Sequence, residues 1–282
     1  MLLHQQQSRG VNALSLDQEN ARFWDELCGS LLARTLGITD HSPASLKKYD
    51  DWYFGFYPYL SRHIPFSSMK GKCVLEVGLG YGSVSQRIGQ AGARFTGLDI
   101  ANGPVAMVNY RYRMHGLDGH AVRGSILDGP FEDCIFDYVV AIGSYHHTGN
   151  LQRAIDESYR VLKPGGTLVM MDYSAYSYRR WIRAFAATGR YFLWDHIGLG
   201  RQPESSARQR AAYDVNSQKK AAPYTTFVSR HHLMAMCQRF SQFHASLENI
   251  GEEGPLRFFK RDTLLQTLPK FLGLDIYAQA KK

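Results

Sequence analysis

The chain has 282 residues, 44% of them hydrophobic, and carries 33 Lys+Arg against 25 Asp+Glu for a net charge of +8. That is apolar material for one large core without requiring a second. Cys28, Cys73, Cys134 and Cys237 form no C-x-x-C pair and no metal-ligand spacing, so reduced thiols are expected and no metal site is implied. Met1 to Gly10 is polar without an apolar signal core, and no run of about eighteen uncharged apolar residues occurs, which predicts a cytoplasmic protein with no transmembrane segment.

In chain order, residues 1–70 read as an N-terminal helical cap. Asn20 to Leu27 has a helical pattern, and Trp52, Tyr53, Phe54, Phe56, Tyr57 and Tyr59 then form an aromatic stretch that packs the cap on the core or lids a ligand. Lys72 to Val77 has the continuous hydrophobicity of a strand buried on both faces, and Ser83 to Gln90 can begin a helix. Between them lie Gly78, Gly80 and Gly82. Glycine tolerates positive φ and lets a ligand approach the backbone, while the helix start beyond offers unpaired N–H groups. About twenty residues on, Gly97-Leu98-Asp99-Ile100 ends a second strand in an acid suited to ribose hydroxyls. The turn reads as a nucleoside-cofactor site. Its spacing is G-x-G-x-G, with Ser83 where the dinucleotide fingerprint has its third glycine, so NAD is disfavoured.

Further features follow: Arg123-Gly124-Ser125-Ile126-Leu127, a strand Phe136 to Ile142, the loop Gly143-Ser144-Tyr145-His146-His147-Thr148, a helix through Tyr159 to Leu162, and Lys163-Pro164-Gly165-Gly166 before a strand Thr167 to Met171. With these in order, residues 71 to 175 resemble the class I S-adenosylmethionine-dependent methyltransferases, and the loop from Gly143 to Asn150 is most similar to the subgroup acting on quinones and other small metabolites. The resemblance implies an α/β, Rossmann-like, seven-stranded, mostly parallel sheet with an antiparallel last strand, filling residues 71–282. It implies S-adenosyl-L-methionine as cofactor, held at the methionine end by Glu76, Gly78, Gly80 and Gly82, at the ribose and adenine by Asp99 and Ile100, with Ser125 and Ile126 at the next adenine contact and Gly143 also against the cofactor. Many relatives carry an aspartate at the adenine position where this chain has Ser125.

Residues 172–229 read as an insertion covering the acceptor, since ligands of open α/β sheets bind beyond the carboxyl ends of the strands. Arg179, Arg180, Arg183 and Arg190 decorate a predicted helix there, and Tyr213 to Tyr224 reads as a gate or a surface loop. From Tyr176 to Phe240 there are 11 basic and 3 acidic residues, which is the whole chain's net charge. This is a solvated face or an attractor for an anionic acceptor. The remainder predicts a helix from Arg230, a strand Phe243 to Ile250, a helix near Asp262 to Phe271 and a closing strand Leu274 to Ala280.

A sulfonium cofactor already supplies an electrophilic methyl, so the protein must chiefly position a nucleophile and exclude water. An acceptor hydroxyl or protonated amine also needs a base. His146 and His147 are the candidates, with Tyr53, Tyr145, Asp172, Tyr173, Tyr176 and Arg179 expected around the acceptor. Three readings stand: methylation of an oxygen or nitrogen of a small, anionic or carrier-linked molecule; methylation of a nucleic acid, against which the loop lacks the N/D-P-P-Y pattern; and a non-catalytic subunit that keeps the fold. Exposed aromatic surface would serve either a lid or a dimer contact.

Overall fold

A computed structural model describes residues 16–26, 30–251 and 253–282. A seven-stranded sheet is built from β1 (Cys73–Val77), β2 (Arg94–Asp99), β3 (Gly119–Arg123), β4 (Phe136–Ile142), β5 (Leu162–Tyr173), β6 (Gln242–Glu248) and β7 (Asp275–Lys281), in the spatial order β3-β2-β1-β4-β5-β7-β6. The first five run parallel, and β7 is antiparallel to both β5 and β6. The order reverses between β1 and β4, which opens a crevice at their carboxyl ends.

The helices are α1 (residues 16–24), α2 (Ser30–Thr35), α3 (Pro43–Phe56), α4 (Leu60–His63), α5 (Ser83–Gln90), α6 (Asn102–His115), α7 (Leu151–Val161), α8 (Tyr178–Arg183), α9 (Phe185–Ile197), α10 (Ala207–Ala211), α11 (Arg230–Met236), α12 (Arg261–Leu265) and α13 (Pro269–Leu272). Two apolar clusters cover the two faces of the sheet. One contains Leu75, Val139, Leu168 and Ile155 of α7; the other contains Val74, Val140, Val169 and Ile88 of α5. Adjacent residues of one strand point to opposite faces, which is why β1, β4 and β5 are apolar throughout.

The expected spans of β4 and α5 coincide with the observed ones. Three expectations differ. The fifth strand begins at Leu162, because Leu162 pairs with Phe136 and the register then shifts across the Pro164-Gly165-Gly166 stretch. The arginine-decorated helix breaks at Ala184 into α8 and α9. The helix near Asp262–Phe271 is likewise two, since Pro269 lacks the N–H a continuing helix needs. Leu27 and Cys28 lie outside the described residues, as does the polar start from Met1 to Gly10.

The cap is tied to the sheet's helices by a buried ion pair. Arg111 of α6 donates to both carboxylate oxygens of Asp50 in α3, at 2.8 and 3.0 Å, and to Gln86 of α5. Asp50 also accepts from Ser83, the first residue after the glycine turn. Among the described residues no helix is long and apolar enough to cross a membrane.

Candidate active site

The glycine turn has the shape its sequence predicts. Gly78, Gly80 and Gly82 take φ of +81°, +50° and +79°. At Gly78 a side chain is also excluded sterically, because a Cβ there would overlap the Cβ of Ser144. Ser144 in turn donates its hydroxyl to the Val77 carbonyl at 2.7 Å, fastening the loop after β4 to the end of β1.

Asp99 ends β2 with its carboxylate held by the Leu79 and Ala101 backbone N–H groups, at 2.7 and 2.9 Å. Burial lifts its carboxyl to about 6 despite those bonds. Glu76 is 2% exposed and its Oε2 has no partner. Burial, with the charge of Asp99 adding to it, raises Glu76 to about 8. Both acids line one cavity together with Gly78, Gly80, Ile100 and His147. Ser125, Ile126, Gly143 and Tyr53 line it too, so the structure brings the expected cofactor residues together except Gly82, which caps α5 just behind it.

This cavity fits S-adenosylmethionine on three observations. Glu76 offers an unpaired buried carboxyl oxygen to an ammonium group. The glycine turn leaves backbone where a side chain would intrude. Asp99 presents a carboxylate fixed from behind. Asp17 of α1 supplies a fourth: it faces Ser125 from across the cavity wall, with its carboxyl raised by burial. An acid thus stands beside Ser125. Sequence spacing has no signal for it, because Asp17 precedes Ser125 by more than a hundred residues.

The loop after β4 forms a 3-10 turn, Tyr145–His147, which sends successive side chains in different directions. Tyr145, expected at the acceptor, points into the core instead and bonds Ser158 of α7. His147 points into the cavity, while His146 is fully buried beside it, with ring centroids 4.3 Å apart. His147 Nδ1 donates to the Tyr224 carbonyl at 2.7 Å, which leaves Nε2 as the lone-pair nitrogen, 3.6 Å from Asp214 Oδ2. His146 Nδ1 lies 3.1 Å from Asp172 Oδ1, and its Nε2 has no partner. Burial lowers both rings, His146 to about 3 and His147 to about 4.

Asp172 therefore backs His146 rather than lining the cavity. Tyr173 stacks near His146 at 4.2 Å and donates to Asp214 Oδ1 at 3.1 Å. Tyr176 and Arg179 lie away from the cavity: Tyr176 donates to Asp195, and Arg179 pairs with Glu253 and covers the ring of Tyr213. The segment Tyr213 to Tyr224 is neither free loop nor bare surface, since it delivers Asp214 and the Tyr224 carbonyl to His147. From the other side α1 closes on the same ring, with Trp24 4.8 Å from His147 and Asn20 donating to the His147 carbonyl at 2.8 Å.

Residues 75–170 match the family model described as a methyltransferase domain. The chain is 34% identical over 122 residues to phthiotriol/phenolphthiotriol dimycocerosates methyltransferase 1 of Mycobacterium ulcerans, covering 43% of each chain. It is 30% identical over 145 residues to demethylmenaquinone methyltransferase of Tropheryma whipplei, covering 51% of this chain and 56% of that one. The matches thus span about half the length of these relatives. Among solved structures, a SAM-dependent methyltransferase of Methanosarcina mazei superposes with a TM-score of 0.52 at 17% identity, covering 80% of this chain and 97% of that one, which shows the shared fold.

Proposed function

The chain carries the methyltransferase domain of the class I S-adenosylmethionine-dependent family, and on that premise we propose that it methylates an oxygen or nitrogen of a small molecule whose reacting atom sits beside His147. One observation carries the reading: His147 lines the same cavity as the glycine turn, Glu76 and Asp99. When bound, S-adenosylmethionine supplies an electrophilic methyl group and departs as a neutral thioether. The protein's share is then placement, proton acceptance and exclusion of water.

Each task has residues suited to it. Glu76 and the glycine turn take the methionine end, Asp99 the ribose, and Ser125 with Asp17 the base. His147 Nε2 accepts the proton that an acceptor hydroxyl or amine gives up, since its Nδ1–H is committed to the Tyr224 carbonyl. Trp24 and Tyr53, which line the cavity, keep water away. The named relatives act on a phthiotriol lipid and a demethylmenaquinone, so acceptors with an apolar body are the first to try. A nucleic acid is the weaker reading, because Arg179 and Arg183, two of the arginines suggesting it, both pair with Glu253.

The test is calorimetry with S-adenosylmethionine and S-adenosylhomocysteine, then mass-spectrometric screening of hydroxylated quinones, sterols and phenols for a gained methyl group. Asp99→Ala should weaken both cofactor forms by about tenfold or more, given roughly 1.5–3 kcal/mol for a hydrogen bond to a charged group. His147→Ala should lower turnover more than cofactor affinity. Unchanged affinity in Asp99→Ala removes the site assignment, and equal loss of turnover and affinity in His147→Ala removes the proton-acceptor role.

A further inference from the structure

His146, His147 and Asp214 converge in a way that the methyl-transfer reading does not require. One ring nitrogen of each histidine and a carboxylate oxygen of Asp214 all lie within 4.8 Å of one another. His146 is fully buried and its Nε2 has no partner, and Asp214 Oδ2 has none either. Unpaired buried polar atoms are uncommon, and two aimed at one point ask for an explanation.

The other atom of each side chain is already engaged. His146 Nδ1 meets Asp172, His147 Nδ1 donates to the Tyr224 carbonyl, and Asp214 Oδ1 accepts from Tyr173. Metal-bound histidines are oriented in this manner, with the distal ring N–H given to a carboxylate or backbone carbonyl so that the other nitrogen faces the ion. The 3.6 Å from His147 Nε2 to Asp214 Oδ2 is near the ~3.4 Å that two ligands span when each lies about 2.0–2.1 Å from a tetrahedral ion. Two imidazoles and one carboxylate, of which His147 lines the cavity, suit Zn²⁺, Co²⁺, Fe²⁺ or Mn²⁺ rather than Mg²⁺ or Ca²⁺, which take oxygen ligands.

We propose that His146, His147 and Asp214 form a binding site for a borderline divalent cation at the acceptor end of the cofactor cavity. With the ion bound, His147 Nε2 is a ligand and no longer a base, and the ion instead makes an acceptor oxygen held beside it more acidic; that consequence rests on the proposed methyl-transfer reading. Positive charge beside His147 favours an acceptor presenting a chelating or anionic oxygen pair, such as a catechol or an enolised diketone, over a neutral amine. Adjacent histidines carry no ligand-spacing signature, and Asp214 lies 67 positions from His147, so nothing in the sequence announces the set.

The experiment titrates the purified, chelator-treated full chain with Co²⁺, followed by its visible d–d absorption and by calorimetry, and repeats it on three variants. One ion per chain is expected, with affinity at least tenfold weaker in Asp214→Asn and unchanged in Asp99→Ala. His231→Ala controls for the exposed Asp195, His196 and His231 group and should also leave binding unchanged. Circular dichroism and S-adenosylhomocysteine binding report whether Asp214→Asn still folds. If it does not, protection of the wild-type His147 ring from diethyl pyrocarbonate by Co²⁺ replaces it, and absence of protection overturns the proposal. Failure of Co²⁺ to bind, or binding lost only in His231→Ala, also overturns it. Retained Co²⁺ binding without cofactor binding would instead sink the methyl-transfer reading and leave the metal site standing.

Discussion

Glu26, at the end of the N-terminal helix, accepts two hydrogen bonds from Ser217, one from its backbone N–H and one from its hydroxyl, each 2.6 Å long. These residues are 191 positions apart, and their contact joins the cap to the inserted segment that carries Asp214. Both segments then meet at His147, with Trp24 and Asn20 on one side and Asp214 and the Tyr224 carbonyl on the other. His147, one residue of the cavity wall, is thus held from both sides.

Removing that clasp should loosen the closure without touching the cofactor contacts. Glu26→Ala forfeits two bonds to a charged acceptor in a half-buried place, worth about 1–2 kcal/mol together after allowance for solvent. The expected result is cofactor dissociation several-fold faster in stopped-flow displacement, with far-UV circular dichroism unchanged. A dissociation rate equal to wild type would show that the clasp does not hold the cap.

The glycine turn gives a prediction about sterics. Gly78→Ala places a side chain at φ +81° and against Ser144 Cβ, combining an unfavourable backbone conformation with overpacking. A loss of roughly 2–4 kcal/mol is expected in denaturant melts. The double variant Gly78→Ala with Ser144→Gly should recover only the packing share, and full recovery would mean that φ costs little here.

Glu76 sets a pH dependence for cofactor binding. With its carboxyl raised to about 8 by burial, it is mostly protonated at pH 7 in the empty cavity. A cationic ammonium group bound beside it favours the ionised form, so binding should release a proton and affinity should rise as pH climbs toward 8. Calorimetry in buffers of different ionisation enthalpy reads the proton count directly. Glu76→Gln should abolish the release, and the same release in that variant would place its source elsewhere.

Asp275 contributes to stability with the opposite sense from a surface carboxylate. It is buried at the start of β7, it accepts a hydrogen bond from the Asn249 side-chain amide at 2.9 Å, and burial lifts it from 3.8 to about 7. The folded state therefore holds the proton more tightly than the unfolded chain. Its stabilising share is full below about pH 4 and is lost as pH rises through about 7, up to a few kcal/mol. Asp275→Asn should be more stable than wild type at pH 8 and lose the advantage by pH 4. Parallel stability curves for the two proteins across that range would contradict the assignment.

What the sequence determined by itself is local. The alternation of an apolar run, three glycines at alternate positions, a helix start and an acid ending the next strand encodes a strand-turn-helix whose backbone admits few shapes, so Gly78, Gly80 and Asp99 were legible from spacing, and Glu76 was implied by the family resemblance. Strands β1, β2, β4 and β5 were legible from the same periodicities, while β3 and the parallel arrangement were implied only by the family resemblance. Only the tertiary structure decided which way the residues after β4 point. Consecutive residues of a 3-10 turn diverge by about a third of a turn, sending Tyr145 to the core, His146 into a buried pair with Asp172 and His147 to the cavity. It also decided that Asp17 lines the cavity, that Glu26 bonds Ser217, that Asp214 meets His147, and that Tyr176 and Arg179 turn to Asp195 and Glu253 instead. Those placements depend on how two distant segments fold over a sheet they do not adjoin in sequence, and burial of their apolar faces, which fixes that packing, leaves no spacing rule in the chain.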